Sequence, residues 1–167
     1  IIGHAQPPQS HPARACGTPS AALVYESNSV EQTEQIAADL AGALRGGECI
    51  ALEGQLGAGK TQFVRGLVRG LGGSTRTVAS PTYVLLHVYD TPRLKVYHLD
   101  AYRVGGPEDF EAIGFEELLD QGGVVVVEWA SRVAELLPPT CMQVRIEAVS
   151  KTRRKIIVDA GSLRSAG

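Results

Sequence analysis

The chain has 167 residues, of which 44% are apolar and 20% charged, and its 16 Lys and Arg against 18 Asp and Glu give a formal net charge of −2. This length fits one compact domain with a tail, and it is sufficient to bury a core without disulfides or a structural metal. The balanced charge argues against a protein that binds DNA, RNA or an anionic membrane mainly through a basic surface. Apolar stretches stay well below the roughly 20 residues of a membrane-spanning helix.

The termini and the cysteines indicate the limits of the folded part and its compartment. Residues 1–21 are rich in Pro, Ser, Ala and Gly without apolar periodicity, so we expect a flexible tail, one folded domain at 22–160 and a short tail at 161–167. The first residues have neither a methionine nor the order of a signal peptide, and we expect them to be the cut edge of a longer chain. Three widely spaced cysteines favour neither a disulfide framework nor a zinc site, which fits a reducing cytoplasm.

The first half of the domain is predicted to contain a helix, a strand, a glycine-rich turn and a second helix. Ser29 is a good N-cap because Gln32 follows three residues later, and the apolar stripe of this helix ends at two glycines. The bounds of the four segments are 29–46, 49–52, 54–59 and 60–71.

In the second half, the pattern predicts strands that alternate with helical segments. Two β-rich runs are joined by a turn in hairpin style, and the run 124–127 is apolar on both faces, as buried parallel strands are. The predicted strands are 83–89, 94–99, 124–127, 142–148 and 155–159, and the helical segments lie within 107–119 and 131–137. This alternation predicts an α/β fold with a mostly parallel central sheet, helices on its faces and antiparallel closing strands.

The segment 54–61 matches the phosphate-binding pattern G-x-x-x-x-G-K-[ST]. Glycines let the backbone curl so that successive N–H groups face phosphate oxygens, and the start of the next helix adds the positive end of its dipole. Lys60 would contact the β- and γ-phosphates, and the Thr61 hydroxyl would bind Mg²⁺. The composition of the chain gives about 0.006 accidental matches, so the pattern predicts a nucleotide-binding P-loop and a three-layer P-loop NTPase fold.

Two acidic residues end predicted strands and are candidates for the rest of the site. Glu128 follows the run 124–127, where a carboxylate either binds magnesium at the carboxyl edge of the sheet or is simply the first exposed residue. Asp100 could orient water or magnesium and His98 could be a general base, but polar residues at a strand end are also common without function. Guanine specificity is not indicated, because the chain has no N-K-x-D motif.

Four motifs, in this order and at these intervals, resemble the TsaE (YjeE) family of bacterial ATPases. They are Leu56-Gly57-Ala58-Gly59-Lys60-Thr61, Ser80-Pro81-Thr82-Tyr83, Tyr97-His98-Leu99-Asp100-Ala101-Tyr102-Arg103 and Val127-Glu128-Trp129. The resemblance covers residues 29–158. It implies an ATPase that uses ATP and Mg²⁺ and acts with the partner proteins TsaB and TsaD. Together they place a threonylcarbamoyl group on the adenosine beside the anticodon of tRNA, with the tRNA reached through the complex.

The resemblance also implies a role for individual residues. Lys60, Asp100 and Glu128 match the catalytic positions, and Thr61 and Glu128 match the magnesium ligands. The residues implied to bind the nucleotide are Thr33, Leu56, Gly57, Ala58, Gly59, Lys60, Thr61 and Arg153. The residues implied to form switch segments or to contact a partner are Ser80, Thr82, His98, Tyr102, Arg103 and Trp129.

Two positions depart from the family pattern, and two other functions stay open. Gln55 replaces an acidic residue and Gln62 a threonine, which changes loop contacts without removing a group that the mechanism needs. The first alternative is a P-loop small-molecule kinase, although no insertion of lid length separates the predicted helices. The second is a nucleotide-gated binding module in which hydrolysis only resets the bound state. An ATPase of this class is expected to be weak alone, since a group supplied by a partner can raise the rate by about 10³ to 10⁵.

Overall fold

The computed structural model describes residues 21–160, and strands alternate with helices along this part of the chain. The strands are β1 (Leu23–Ser27), β2 (Cys49–Glu53), β3 (Leu86–Tyr89), β4 (Val96–Asp100), β5 (Val124–Glu128), β6 (Met142–Ala148) and β7 (Arg154–Asp159). The helices are α1 (Val30–Ala41), α2 (Lys60–Gly70), α3 (Pro107–Ala112) and α4 (Phe115–Leu119), and a 3₁₀ helix spans Ala130–Leu136. The predicted tails at 1–21 and 161–167 lie outside the described residues, except for residue 21.

All seven strands belong to one sheet with the order β1-β7-β6-β2-β5-β4-β3. The four central strands are parallel, because β2 pairs with β5 and β6, and β4 pairs with β5, in parallel register. The outer strands β7, β1 and β3 are antiparallel to their neighbours. The predicted fold class is therefore confirmed. Leu52 and Asp100 both lie opposite Glu128 in the register, so the carboxyl ends of β2, β4 and β5 meet at one edge.

Side chains alternate across the sheet and build a separate core on each face. Ile50 and Val126 belong to the core beneath α1 and α2, together with Phe63. Leu99 belongs to the core on the opposite face, beneath α3, α4 and the 3₁₀ helix, together with Phe110. The result is three layers with the sheet in the middle. Among the described residues, no helix is both long enough and apolar enough to cross a membrane.

Helices α1 and α2 approach each other closely through small residues. A Cβ atom built on Gly66 would overlap the carbonyl group of Glu34 and lie 2.7 Å from the Cβ of Ala37. Ordinary carbon contacts are about 3.5–4.0 Å, so only glycine fits here without separating the helices. Because α2 starts at the glycine-rich loop, this contact places Thr33 of α1 beside that loop.

The first helix begins where it was predicted and ends earlier. The Ser29 hydroxyl accepts a hydrogen bond from the Gln32 N–H at 3.1 Å, as expected for the N-cap. The helix ends at Ala41 rather than at the glycine pair 46–47. The guanidinium of Arg93 donates to the carbonyl oxygens of Ala41 and Leu44, at 3.3 and 3.2 Å, so free carbonyls at this end are satisfied without another helical turn.

Three other elements differ from the sequence prediction. Strand β1 was not predicted, and its first four residues are exposed, which hides the apolar pattern of a buried strand. The first hairpin strand begins only at Leu86, because Leu85 has φ of 70° and turns the chain before it. The helical segment 107–119 divides into α3 and α4 at Gly114, which has φ of 77°.

Candidate nucleotide-binding site

The loop between β2 and α2 is shaped by glycines in the left-handed region. Gly57 and Gly59 have φ of 78° and 111°, values that side-chain-bearing residues rarely adopt. The Ala58 N–H donates to the Gln55 carbonyl at 2.9 Å, which closes a tight turn inside the loop. Helix α2 begins at Lys60, directly after Gly59, so its first N–H groups and the positive end of its dipole face the loop. The backbone therefore has the form of an anion-binding P-loop.

Lys60 contacts the loop itself and an aromatic ring. Its Nζ donates to the carbonyl of Gly54 and, at 3.3 Å, to that of Gln55, and it lies 4.2 Å from the centroid of the Trp129 ring. Burial lowers the pKa of the Lys60 ammonium, and the nearby Glu128 carboxylate opposes this shift. Within residues 21–160 this buried ammonium makes no ion pair, so phosphate oxygens would be favourable new partners for it.

Two cavities open on the two sides of the loop, and both use its glycines. The first has a volume of about 380 Å³ and contains Thr33, Ala58 and Arg154 in its lining. The second, of about 450 Å³, is lined by Leu56, Lys60, Thr61, Ser80, Thr82, Tyr83, Asp100, Tyr102, Arg103, Glu128 and Trp129. The cavities share Gly57, Gly59 and Gln62. A ligand with a ring system at one end and an anionic chain at the other can therefore lie across the loop.

Glu128 is a buried carboxylate at the end of a central strand. It is 2% exposed, and its Oε1 accepts a hydrogen bond from the His98 Nε2 at 2.9 Å. His98 lies on the neighbouring strand and is fully buried, and it does not line either of the two cavities. His98 is therefore placed to act through Glu128. It is not placed to contact a substrate directly as a general base.

Asp100 receives three hydrogen bonds that fix the plane of its carboxylate. Oδ2 accepts from the Thr82 hydroxyl at 2.9 Å and from the Ser80 hydroxyl at 3.4 Å. Oδ1 accepts from the Tyr102 N–H at 2.7 Å. The carboxylate is 2% exposed and opposite Glu128 in the sheet register. The two predicted acidic residues thus lie side by side, and the segment 80–82 is hydrogen-bonded to Asp100.

Aromatic side chains at the rim of the second cavity contact the cationic side chains of Lys60 and Arg103. Trp129 has φ of 55°, an uncommon value for a residue with a large side chain, and its ring lies 5.0 Å from the ring of Tyr102. The Arg103 guanidinium lies 4.4 Å over the ring of Tyr83. Backbone strain at a cavity wall is found most often at functional positions. Trp129 therefore lines the candidate site and also packs against its neighbours.

Thr33 and Arg153, the two predicted nucleotide contacts outside the P-loop, lie in different surroundings. Thr33 is buried and lines the first cavity. Its hydroxyl is hydrogen-bonded to the Ser27 hydroxyl at 2.8 Å. Arg153 instead extends toward Glu26, with a closest approach of 3.8 Å between exposed charges. The next residue, Arg154, donates from Nε to the Ala58 carbonyl at 2.8 Å. The sequence did not predict Arg154 at the first cavity, because no motif distinguishes the two adjacent arginines.

The oxygen donors present fit magnesium bound together with a nucleotide. Within residues 21–160, no cluster of three or more His, Cys, Asp and Glu side chains is placed to hold a metal alone. Mg²⁺ commonly uses one or two protein oxygen ligands and completes its shell with phosphate oxygens and water. Thr61 and Glu128 line the same cavity, so a hydroxyl and a carboxylate of the kind that Mg²⁺ uses are present there.

A glycine loop between a parallel strand and a helix, followed by lysine and threonine, with a buried acid on the adjacent strand, defines the class of P-loop α/β proteins. The family model described as "Threonylcarbamoyl adenosine biosynthesis protein TsaE" matches residues 27–156. The chain therefore belongs to the TsaE family, the proteins of tRNA threonylcarbamoyladenosine biosynthesis.

Individual relatives agree with this assignment over most of the chain. A protein of Treponema pallidum is 39% identical over 132 residues, which are 79% of this chain and 96% of the relative. A Bacillus subtilis protein is 37% identical over 138 residues, 83% of this chain and 85% of the relative. Both are named tRNA threonylcarbamoyladenosine biosynthesis protein TsaE. The crystal structure of Bacillus subtilis YdiB superposes with a TM-score of 0.73 at 32% identity, covering 85% of this chain and 88% of that one.

Proposed function

We propose that the chain binds ATP with Mg²⁺ and hydrolyses it, and that hydrolysis supports tRNA threonylcarbamoyladenosine synthesis by the partners TsaB and TsaD. The observation that carries the proposal is the convergence of Lys60, Thr61 and the buried Glu128 carboxylate on one cavity. Membership of the family supports the pathway, and P-loop chemistry supports the nucleotide. We place the activity in the cytoplasm, where Cys49 and Cys141 stay reduced as the free thiols seen here.

Nucleotide binding is divided between the two cavities. The adenosine part lies on the side of Thr33 and Arg154, and the triphosphate lies on the side of Lys60. The N–H groups of the loop and of the first turn of α2 donate to phosphate oxygens. Lys60 exchanges its loop carbonyl partners for β- and γ-phosphate oxygens, which are stronger acceptors because they are charged.

Hydrolysis needs compensation of the charge that develops on the transferred phosphoryl group, together with an oriented water. Mg²⁺, held by Thr61 and Glu128, supplies part of this compensation when it is bound with the nucleotide. Asp100 orients the attacking water. Its carboxylate accepts from Ser80, Thr82 and the backbone of residue 102, so its plane is fixed before the water arrives.

The chain alone is expected to be a slow ATPase. Arg103 lies at the rim of the second cavity, the triphosphate cavity of this proposal, but its guanidinium is stacked on Tyr83. Arg132 is similarly placed over the ring of Tyr102, at 5.6 Å. A cation supplied by a docked partner, or one released from these rings by docking, would complete the charge compensation and raise the rate by about 10³ to 10⁵. Productive hydrolysis therefore depends on TsaB and TsaD.

The test is ATP turnover measured with the chain alone and with purified TsaB and TsaD, following both free phosphate and any phosphorylated acceptor. We expect slow release of free phosphate that rises on addition of the partners and is lost in Lys60→Ala. Lys95→Ala, which removes an exposed lysine from a surface ion pair, is the matched control and should behave as the unaltered chain.

Two outcomes would contradict the proposal. Full-speed hydrolysis by the isolated chain would remove the dependence on partners. Transfer of the γ-phosphoryl group to a nucleoside or sugar, without free phosphate, would identify a kinase instead.

A further inference from the structure

Three buried side chains form a hydrogen-bonded row behind the triphosphate cavity. Glu128, His98 and Tyr89 are 2%, 0% and 5% exposed. The His98 ring pairs through Nε2 with the Glu128 carboxylate at 2.9 Å and through Nδ1 with the Tyr89 hydroxyl at 3.3 Å. An ionised carboxylate only accepts, so Nε2 is the donor to Glu128. Both ring nitrogens are engaged, and the orientation of the ring is fixed from both sides.

The Tyr89 hydroxyl also connects this row to the segment that carries Ser80 and Thr82. It donates to the Ala79 carbonyl at 3.0 Å, and the Ala79 N–H approaches it at 3.3 Å. Further along this segment, Ser80 and Thr82 donate to the Asp100 carboxylate through their hydroxyls. One phenolic oxygen therefore touches the backbone of the segment and the imidazole that holds Glu128.

These contacts close a ring through both acids of the site. Asp100 and Glu128 are opposite each other in adjacent strands, and the Ala101 N–H donates to the Glu128 backbone carbonyl at 2.9 Å. The Tyr89 hydroxyl has one proton and lies near three groups that can accept it, the Ala79 carbonyl, the His98 Nδ1 and, at 3.2 Å, the His87 Nδ1, so it donates to one of them at a time. A shift of the segment therefore changes which group receives this proton and how the His98 ring is supported.

We propose that Tyr89 and His98 are positioning residues that couple the orientation of the Glu128 carboxylate to the segment 79–82. The inference rests on the proposed function, since it concerns Glu128 as a ligand of Mg²⁺. Residues that hydrogen-bond to metal ligands commonly change metal affinity by about 10 to 100-fold when they are replaced. Through this row, an event that moves the segment 79–82, in which Ala79 and Ser80 are exposed, alters how well the buried acid receives magnesium.

The test uses Tyr89→Phe, which removes one oxygen atom and leaves the ring to fill the core. Tyr97→Phe is the matched control, because Tyr97 lies on the adjacent strand and its hydroxyl approaches Gln121, at 3.5 Å, instead of the site. The readout is the fluorescence of Trp129, the single tryptophan of the chain and the direct neighbour of Glu128. Mg²⁺ is titrated at saturating ATP, and ATP is titrated separately without Mg²⁺.

We expect Tyr89→Phe to raise the Mg²⁺ concentration at half-change by about tenfold, with the affinity for metal-free ATP unchanged. Tyr97→Phe should match the unaltered chain. His98→Gln serves as the second variant, should Tyr89→Phe fold poorly. It keeps an N–H donor for Glu128 but loses the contact with Tyr89, and it should also raise the Mg²⁺ midpoint.

Hydrogen exchange gives a second readout that does not depend on turnover. Addition of ATP with Mg²⁺ should slow amide exchange around Ala79 in the unaltered chain. In His98→Gln this slowing should be lost while slowing in the loop 54–61 remains.

The outcomes separate this inference from the proposed function. A folded Tyr89→Phe or His98→Gln variant with an unaltered Mg²⁺ midpoint and unaltered exchange at Ala79 would overturn the coupling and leave the ATPase proposal intact. If Trp129 fluorescence in the unaltered chain responded to neither ATP nor Mg²⁺, and neither changed the exchange, the proposed function itself would be refuted, and this inference with it.

Discussion

Replacement of Gly66 by alanine tests whether the close packing of α1 on α2 holds the site together. The new Cβ would overlap the Glu34 carbonyl and lie 2.7 Å from the Ala37 Cβ, about 1 Å closer than an ordinary carbon contact. Overpacking of a core costs about 1–3 kcal/mol, and the upper end applies because a helix backbone cannot rotate away. Alanine in place of glycine regains about 1 kcal/mol of helix propensity.

The two effects leave a net loss of about 2 kcal/mol in the free energy of unfolding, since the overlap outweighs the propensity gain. This corresponds to a fall of about 4–8 °C in Tm, measured by thermal denaturation of the nucleotide-free protein. Because α1 carries Thr33 into the first cavity, a separation of the helices should also weaken ATP binding, measured by titration calorimetry.

Gly105→Ala is the matched control. The nearest atom to its new Cβ would be the Asp109 Oδ2 at 3.7 Å, an ordinary contact, so Tm should change by little. A Gly66→Ala protein as stable as the unaltered chain, or more stable, would show that the gain in helix propensity exceeds the cost of the overlap. The helices would then not be packed as closely as described.

Three further changes test individual contacts. Arg154→Ala should weaken ATP binding by about tenfold, since it removes a charged donor from the loop carbonyls, whereas Arg153→Ala should leave calorimetric affinity unchanged; the reverse order would contradict the assignment. Ser29→Ala should lower the free energy of unfolding by about 1 kcal/mol in urea denaturation through loss of the N-cap, and an unchanged midpoint would refute this role. Glu128→Gln should retain binding of metal-free ATP but lose most Mg²⁺-dependent hydrolysis; normal hydrolysis would remove Glu128 from the metal site.

The sequence predicted the core of the candidate site because the chemistry of its motifs is local. The P-loop pattern sets Lys60 and Thr61 on one turn, and Glu128 follows an apolar run that is typical of a buried strand. Strands alternating with helices were enough to predict a central parallel sheet. These features depend on residues close together in sequence, where spacing carries the information.

Contacts between segments that are distant in the chain could not be predicted from such local patterns. The end of α1 depends on Arg93, which comes from a different part of the chain to satisfy its last carbonyls. Strand β1 is mostly exposed and carries no alternation. Arg153 and Arg154 have the same chemistry, and only the start of β7 decides which of them turns toward the loop. Tyr89 belongs to no motif, and its place behind Glu128 follows from the pairing of β3 with β4.

The central claim is that ATP use by this chain supports threonylcarbamoylation of tRNA by its partners. The most direct measurement is reconstitution with TsaB, TsaD, tRNA, ATP and threonylcarbamoyl-AMP, counting modified adenosines per TsaD over several turnovers. The unaltered chain should sustain repeated turnovers, and Lys60→Ala should stop near the first. Equal multiple-turnover modification by the Lys60→Ala protein, with folding verified, would contradict the claim and favour a binding role that does not need the nucleotide.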